Sequence, residues 1–215
     1  MEKRRSTSFA CPNRRGICDA GLFRNTFKHC GGCILIINHN VWPAVKTARE
    51  LESALSTPYP YLVLLGGHLG QLRALVELAE RHGKKVLLHA DLIDGLKNDE
   101  YAAEYLCQHV RPSGLISTRA SVVQKTKQNK LIAIQRLFLI DTGALEKSYA
   151  LLEKTKPDYI EVLPGVIPSM IREVMDRTGI PVIAGGLIRT EEDVRIALEA
   201  GATAITTSRR ELWKA

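Results

Sequence analysis

The stretch PVIAGGLIRTEEDVRIALEAGATAITTSRRELW, Pro181 to Trp213, constrains the fold more than any other part of the chain. It predicts a buried strand over Pro181–Ala184 that runs into two glycines, Gly185 and Gly186. Thr190 with Asp193 three residues on is a capping-box pattern and starts a helix. Val194, Ala197 and Leu198 then share one helical face. A second strand, Ala204–Thr207, ends at Ser208, just before a short final helix. That layout is how a (β/α)8 barrel closes, and the loops after its seventh and eighth strands are where such barrels hold phosphate. Gly185 and Gly186 let backbone N–H groups approach a dianion, while Thr207 and Ser208 add hydroxyls at a helix N-terminus. An ordinary turn followed by a helix cap would use the same residue types.

The text before this stretch has the same rhythm. Strand-like runs occur at Val41–Val45, Tyr61–Leu65, Lys85–Asp91, Gly114–Thr118, Leu131–Leu137 and Tyr159–Leu163. Between them Leu69, Leu72, Val76 and Ala79 fall on one helical face, as do Leu145, Tyr149 and Leu152, and Ile167, Ile171 and Val174. Turn signals such as His82-Gly83-Lys84 and Thr178-Gly179-Ile180-Pro181 end these helices. The expected fold is a compact TIM-type (β/α)8 barrel over residues 38–215, shorter than the usual range of about 200 residues or more. A doubly wound sheet competes, but no early G-x-G-x-x-G is present.

Residues 1–37 read as a separate, non-barrel N-terminal arm. Residues 1–40 hold seven Lys/Arg and two Asp/Glu, leaving 23 and 21 of the chain's 30 and 23 for the remainder. Most of the net charge of +7 therefore lies outside the barrel, and global charge is poor evidence that the barrel binds nucleic acid. The arm carries Cys11, Cys18, Cys30 and Cys33, with His29 or His39 nearby; a structural zinc site is a weak alternative because the spacing is irregular. A disordered basic arm, or an extension preceding a natural start near Leu35, are the other readings. Five cysteines do not form a disulfide framework, and no apolar run approaches a membrane span, so a cytoplasmic location is expected.

In an α/β barrel the chemistry sits at the C-terminal ends of the strands. Those ends carry His89 and Asp91, Ser117-Thr118-Arg119, Gln135-Arg136, Glu161, the two glycines, and Thr207-Ser208. His89 and Asp91 alternate with Leu88 and Ala90, so both are expected to face the barrel mouth. Arg136 adds charge there if it faces inward, and Gln135 then cannot. Each group alone could be a satisfied core hydrogen bond, but a polar ring at one end of an apolar barrel argues for a small polar ligand.

HADLIDGLKNDEYAAEYL (89–106), GLISTRASVVQKTKQ (114–128), AIQRLFLIDTGALEKS (133–148), PDYIEVLPGVIPS (157–169), AGGLIRTEEDV (184–194) and TTS (206–208) resemble the glycerol uptake operon antiterminator regulatory proteins of Gram-positive bacteria. The resemblance covers residues 41–215. It implies a TIM-barrel-like protein with no cofactor that responds to glycerol 3-phosphate and acts on leader mRNA of glycerol-utilisation genes, so that polymerase reads through a terminator. Nothing transfers to residues 1–37, and Arg209-Arg210 stands where the resemblance implies a less basic residue, such as Asn, first.

On this reading the phosphate rests on Gly185, Gly186, Thr207 and Ser208, and the hydroxyls meet His89, Asp91 and Glu161, with Arg136 as added charge. Candidate RNA contacts are Lys97, Arg119, Lys125, Lys127 and Lys130; a solvated helix face is the plainer reading of the lysine run. Ligand would order loops or a homo-oligomer surface and shift the population toward an RNA-competent state. A phosphosugar isomerase or lyase on the same barrel is the rival class, with Glu161 or Asp91 as base and His89 as acid. A metabolite-binding module acting through a protein partner is a third.

Overall fold

The computed structural model describes residues 40–213. The arm 1–37, its cysteines Cys11, Cys18, Cys30 and Cys33, His29, His39 and the Leu35 start lie outside the described residues.

Eight parallel strands close into a barrel: β1 (Val41–Val45), β2 (Tyr61–Leu64), β4 (Lys85–His89), β6 (Gly114–Ser117), β7 (Ile132–Phe138), β8 (Tyr159–Leu163), β9 (Val182–Gly185) and β10 (Ala204–Thr207). Closure is made by β1 pairing β10, with Val41 opposite Ile205 and Pro43 opposite Thr207. The helices are α1 (Ala48–Leu55), α2 (Leu69–Arg81), α3 (Glu100–Tyr105), α4 (Ala120–Gln128), α5 (Thr142–Thr155), α6 (Pro168–Thr178) and α7 (Glu191–Glu199). A 3-10 turn, Arg210–Trp213, ends the eighth unit. The TIM-type barrel expected from the sequence is the fold observed, and no helix among the described residues is long and apolar enough to cross a membrane.

Local chemistry starts each helix. Thr47, Asp99, Asp141 and Thr190 cap α1, α3, α5 and α7 through side-chain oxygens that each accept from the backbone N–H three residues on. At α7 the box is complete, because Asp193 also accepts from the Thr190 N–H. The inner faces predicted from spacing are the buried ones: Leu72, Val76 and Ala79 on α2; Leu145, Tyr149 and Leu152 on α5; Ile171 and Val174 on α6. Each large side chain so buried contributes about 1.5–3 kcal/mol.

Within the barrel, Trp42, Ala44, Val63, Leu87, Ile116, Ile134, Ile183 and Ala204 form one apolar cluster. At its lower end Trp42 stacks near Tyr61 (4.9 Å between ring centroids) and Tyr159 (6.0 Å), and Lys85 lies over the Tyr61 ring. The barrel is therefore plugged at the strand N-termini and polar at the other end. One feature was not legible in sequence: two-residue strands β3 (Gly67–His68) and β5 (Ile93–Asp94) pair above the mouth and tie the loops after β2 and β4 together.

Gly114 makes the close approach of β4, β6 and β7 possible. A Cβ there would meet the Ile132 carbonyl oxygen, the Ile132 Cβ at 2.7 Å and Leu87 Cδ2 at 2.9 Å. Gly114→Ala should lower stability by about 1–3 kcal/mol, read as a lower urea midpoint with an unchanged slope.

Candidate functional site

Strand alternation carries four polar side chains to the mouth above the apolar cluster: His89 from β4, Arg136 from β7, Glu161 from β8 and Thr206 from β10. Arg136 and Glu161 are register neighbours on β7 and β8, and Arg136 Nε donates to Glu161 Oε2 at 2.7 Å. Thr206 Oγ1 donates to Glu161 Oε1 at 2.8 Å. The Glu161 side chain is 2% exposed, so two charge-assisted hydrogen bonds offset its desolvation. Gly185 makes room for this group: a Cβ there would stand 2.5 Å from Thr206 Oγ1 and 2.8 Å from Glu161 Oε1.

His89 is 1% exposed, and neither ring nitrogen has a hydrogen-bond partner. Burial pushes its pKa down to about 4; the Arg136 charge adds to that, while Glu161 and Asp91 oppose it. The ring is therefore neutral at physiological pH, with one donor and one acceptor unspent.

Asp91 departs from the expected geometry. β4 ends at His89, and Ala90–Leu92 is a 3-10 turn, so alternation stops before it can place Asp91 beside His89. Its carboxylate turns to the end of β6. Ser117 Oγ and Asn98 Nδ2 donate to Oδ1, and the Thr118 N–H (2.7 Å) and Oγ1 (2.8 Å) donate to Oδ2. Burial raises the carboxyl's pKa, but these hydrogen bonds outweigh it and hold it below the usual range. Four donors fill its acceptor sites, so Asp91 fixes the β4 and β6 loops relative to each other.

The glycine and hydroxyl loops lie side by side. Gly186 has φ +72°, a conformation that favours glycine, and Gly165 packs so close that a Cβ would sit 2.7 Å from the Gly185 nitrogen. Ser208 is exposed at the rim. Thr207 points away from the interior: its Oγ1 donates to the Ile188 carbonyl (3.1 Å) and accepts from the Arg209 N–H (3.2 Å). Its carbonyl accepts from Trp213 Nε1 at 2.9 Å. The inward hydroxyl of that strand is Thr206, one residue earlier. Counting alternation back from Gly185 and Glu161 would have found it, but the TTS run hid the parity. Gln135 faces outward, its amide donating to the Ser117 and Thr118 carbonyls.

The five basic residues named from sequence do not form one surface. Lys97 and Arg119 are exposed at the mouth end. Lys125 and Lys127 lie in the last turn of α4, at the opposite end of the barrel, beside Glu104 (3.6 Å) and Asp158 (3.5 Å) respectively. Lys130, just past α4, is at that end too.

A sequence model described as glycerol-3-phosphate responsive antiterminator matches residues 41–213. The uncharacterised protein YgcP of Escherichia coli strain K12 is 31% identical over 179 residues, 83% of this chain and 94% of that protein. The crystal structure of the glycerol uptake operon antiterminator regulatory protein of Listeria monocytogenes is 48% identical, with a TM-score of 0.80 over 84% of this chain and 97% of that one. A glycerol uptake operon antiterminator-related protein of Thermotoga maritima is 28% identical, with a TM-score of 0.73 over 82% of this chain and 99% of the other.

Arg136→Met leaves the Glu161 charge buried with Thr206 alone and should cost about 3–5 kcal/mol in chemical denaturation, whereas Arg136→Met with Glu161→Met should recover most of it. For His89 the depressed pKa means that the unfolded chain binds its proton first. Stability should therefore fall as pH drops from about 6.5 to about 4. His89→Gln should remove that part of the slope in urea titrations at stepped pH.

Proposed function

The chain belongs to the glycerol-3-phosphate responsive antiterminator family, and from that premise we propose that its barrel, residues 38–215, binds glycerol 3-phosphate in the mouth. Bound ligand then governs contact with the leader mRNA of glycerol-utilisation genes in the cytoplasm, favouring read-through of a terminator. The observation that carries the ligand reading is His89: a buried, neutral imidazole with two unpartnered nitrogens is costly unless something polar meets it. The two nitrogens diverge, so each needs its own hydroxyl, one accepting and one donating, and glycerol 3-phosphate offers two.

The phosphate is assigned to the Gly185-Gly186 loop and Ser208, where small residues let an anion approach backbone N–H groups. Thr206 replaces Thr207 as the β10 hydroxyl that faces the ligand. Arg136 supplies positive charge from the interior, and Glu161 accepts from a ligand hydroxyl while remaining tied to Arg136. Asp91 holds the adjacent loops in place. No group in this scheme is asked to break a bond, and the protein acts by binding and population shift.

The test is calorimetric titration of glycerol 3-phosphate into the full chain, with glycerol and dihydroxyacetone phosphate alongside, and leader-RNA retention measured with and without ligand. Heat with glycerol 3-phosphate, none with glycerol, no turnover of either phosphate, and ligand-dependent RNA retention are expected. Turnover, or retention indifferent to ligand, overturns the reading. Gly186→Val should abolish the heat while cooperative unfolding persists, because valine is strained at φ +72° and would press on Leu163, with Cδ2 3.2 Å from the added Cβ.

A further inference from the structure

The loops after β1 and β10 bring Lys46, Arg49, Arg209 and Arg210 together at the barrel rim, all four exposed. They are adjacent because β1 pairs β10, with Pro43 opposite Thr207, so the residues that leave the two strands emerge side by side. The N-terminus of α1 opens in the same place and adds the positive end of its dipole. Four exposed cations with Glu50 in the first turn of α1 leave this part of the rim with a net positive charge.

Three carboxylates on α1 and α7 are committed to local structure. Glu50 accepts from the Lys46 backbone N–H at 2.7 Å and reaches Arg210 only at 3.9 Å. Asp193 caps α7, and Glu192 pairs with Arg195 on its own helix. Glu211 lies exposed on the same turn as Arg210.

We infer that this β1/β10 rim cluster is the surface that meets the RNA phosphate backbone, in place of the α4 lysines. The inference rests on the antiterminator reading above. Its second support is the position of β10. Thr206 reaches inward to Glu161, while Thr207 anchors the Ile188, Arg209 and Trp213 positions of the outer loops. One strand end therefore touches both the Glu161 network inside the barrel and the cationic loop. A ligand that reorders Glu161 and Thr206 moves the strand end on which Arg209 and Arg210 are mounted, and RNA affinity becomes ligand-dependent through a path two residues long.

The experiment compares full-length wild type with two triple variants in leader-RNA retention at saturating glycerol 3-phosphate across a salt series. One variant is Lys46→Gln, Arg49→Gln, Arg210→Gln. The other removes the same charge from exposed residues at the opposite end: Arg81→Gln, Lys130→Gln, Lys154→Gln. The rim variant should bind RNA at least about tenfold more weakly, and its slope of log affinity against log salt should be shallower by about 2 to 3. The opposite-end variant should follow wild type, and all three should titrate glycerol 3-phosphate alike. Equal binding by the two variants, whether both weakened or both unchanged, overturns the surface assignment. Absence of RNA retention by wild type itself would instead refute the antiterminator reading on which it rests.

Discussion

The Glu161 carboxylate is the constraint around which the mouth of this barrel is arranged. A charge 2% exposed must be matched within its own reach. The match comes from a neighbouring strand, through Arg136, and from a strand two positions away, through Thr206. The residue between those strands has to be glycine, because any Cβ at Gly185 would occupy the space of the two oxygens. Four consecutive strand ends of the barrel, those of β7, β8, β9 and β10, are thus fixed by one ionised group. His89 stands beside the same pair, and burial, aided by the Arg136 charge, keeps its ring neutral.

The same local geometry divides β10 into two roles. Because successive strand side chains point to opposite faces, adjacent threonines serve opposite sides. Thr206 completes the interior network, and Thr207 fastens the outer loops and the final turn. A strand end held on both sides transmits displacement with little loss, since packed interiors deform poorly. This gives a physical route by which a small ligand inside the barrel can be felt by a macromolecule outside it. A barrel alone would not imply a regulator, since the architecture hosts many chemistries.

Much of this was legible from the chain. The eight barrel strands fall where apolar runs placed them, and the capping box at Thr190 and Asp193 starts α7 as its pattern implied. Strand polarity was legible for His89 and Glu161, while the choice between Gln135 and Arg136 is made by the Arg136–Glu161 pairing. Asp91 and Thr207 were harder to read, because both depend on where extended backbone stops and which parity a strand keeps at its end. The turn at Ala90–Leu92 carries no distinctive sequence signal, and two threonines in succession conceal which one faces inward. The β3–β5 pairing was invisible for a related reason: two-residue strands have no periodicity to detect. The separation of the basic residues between the two ends of the barrel follows from helix direction. Arg119 begins α4 and Lys127 nearly ends it, so nine residues of helix carry them to opposite ends.

The central claim is that the unpartnered His89 ring is the seat of ligand recognition. The most direct measurement is the nitrogen chemical shifts of its imidazole in isotopically labelled full-length protein, followed as glycerol 3-phosphate is added at neutral pH. The account predicts a neutral ring in the free protein, with both ring nitrogens shifting on addition as hydrogen bonds form, and no change with glycerol at the same concentration. Saturable binding of glycerol 3-phosphate that leaves the His89 nitrogens unmoved would contradict it.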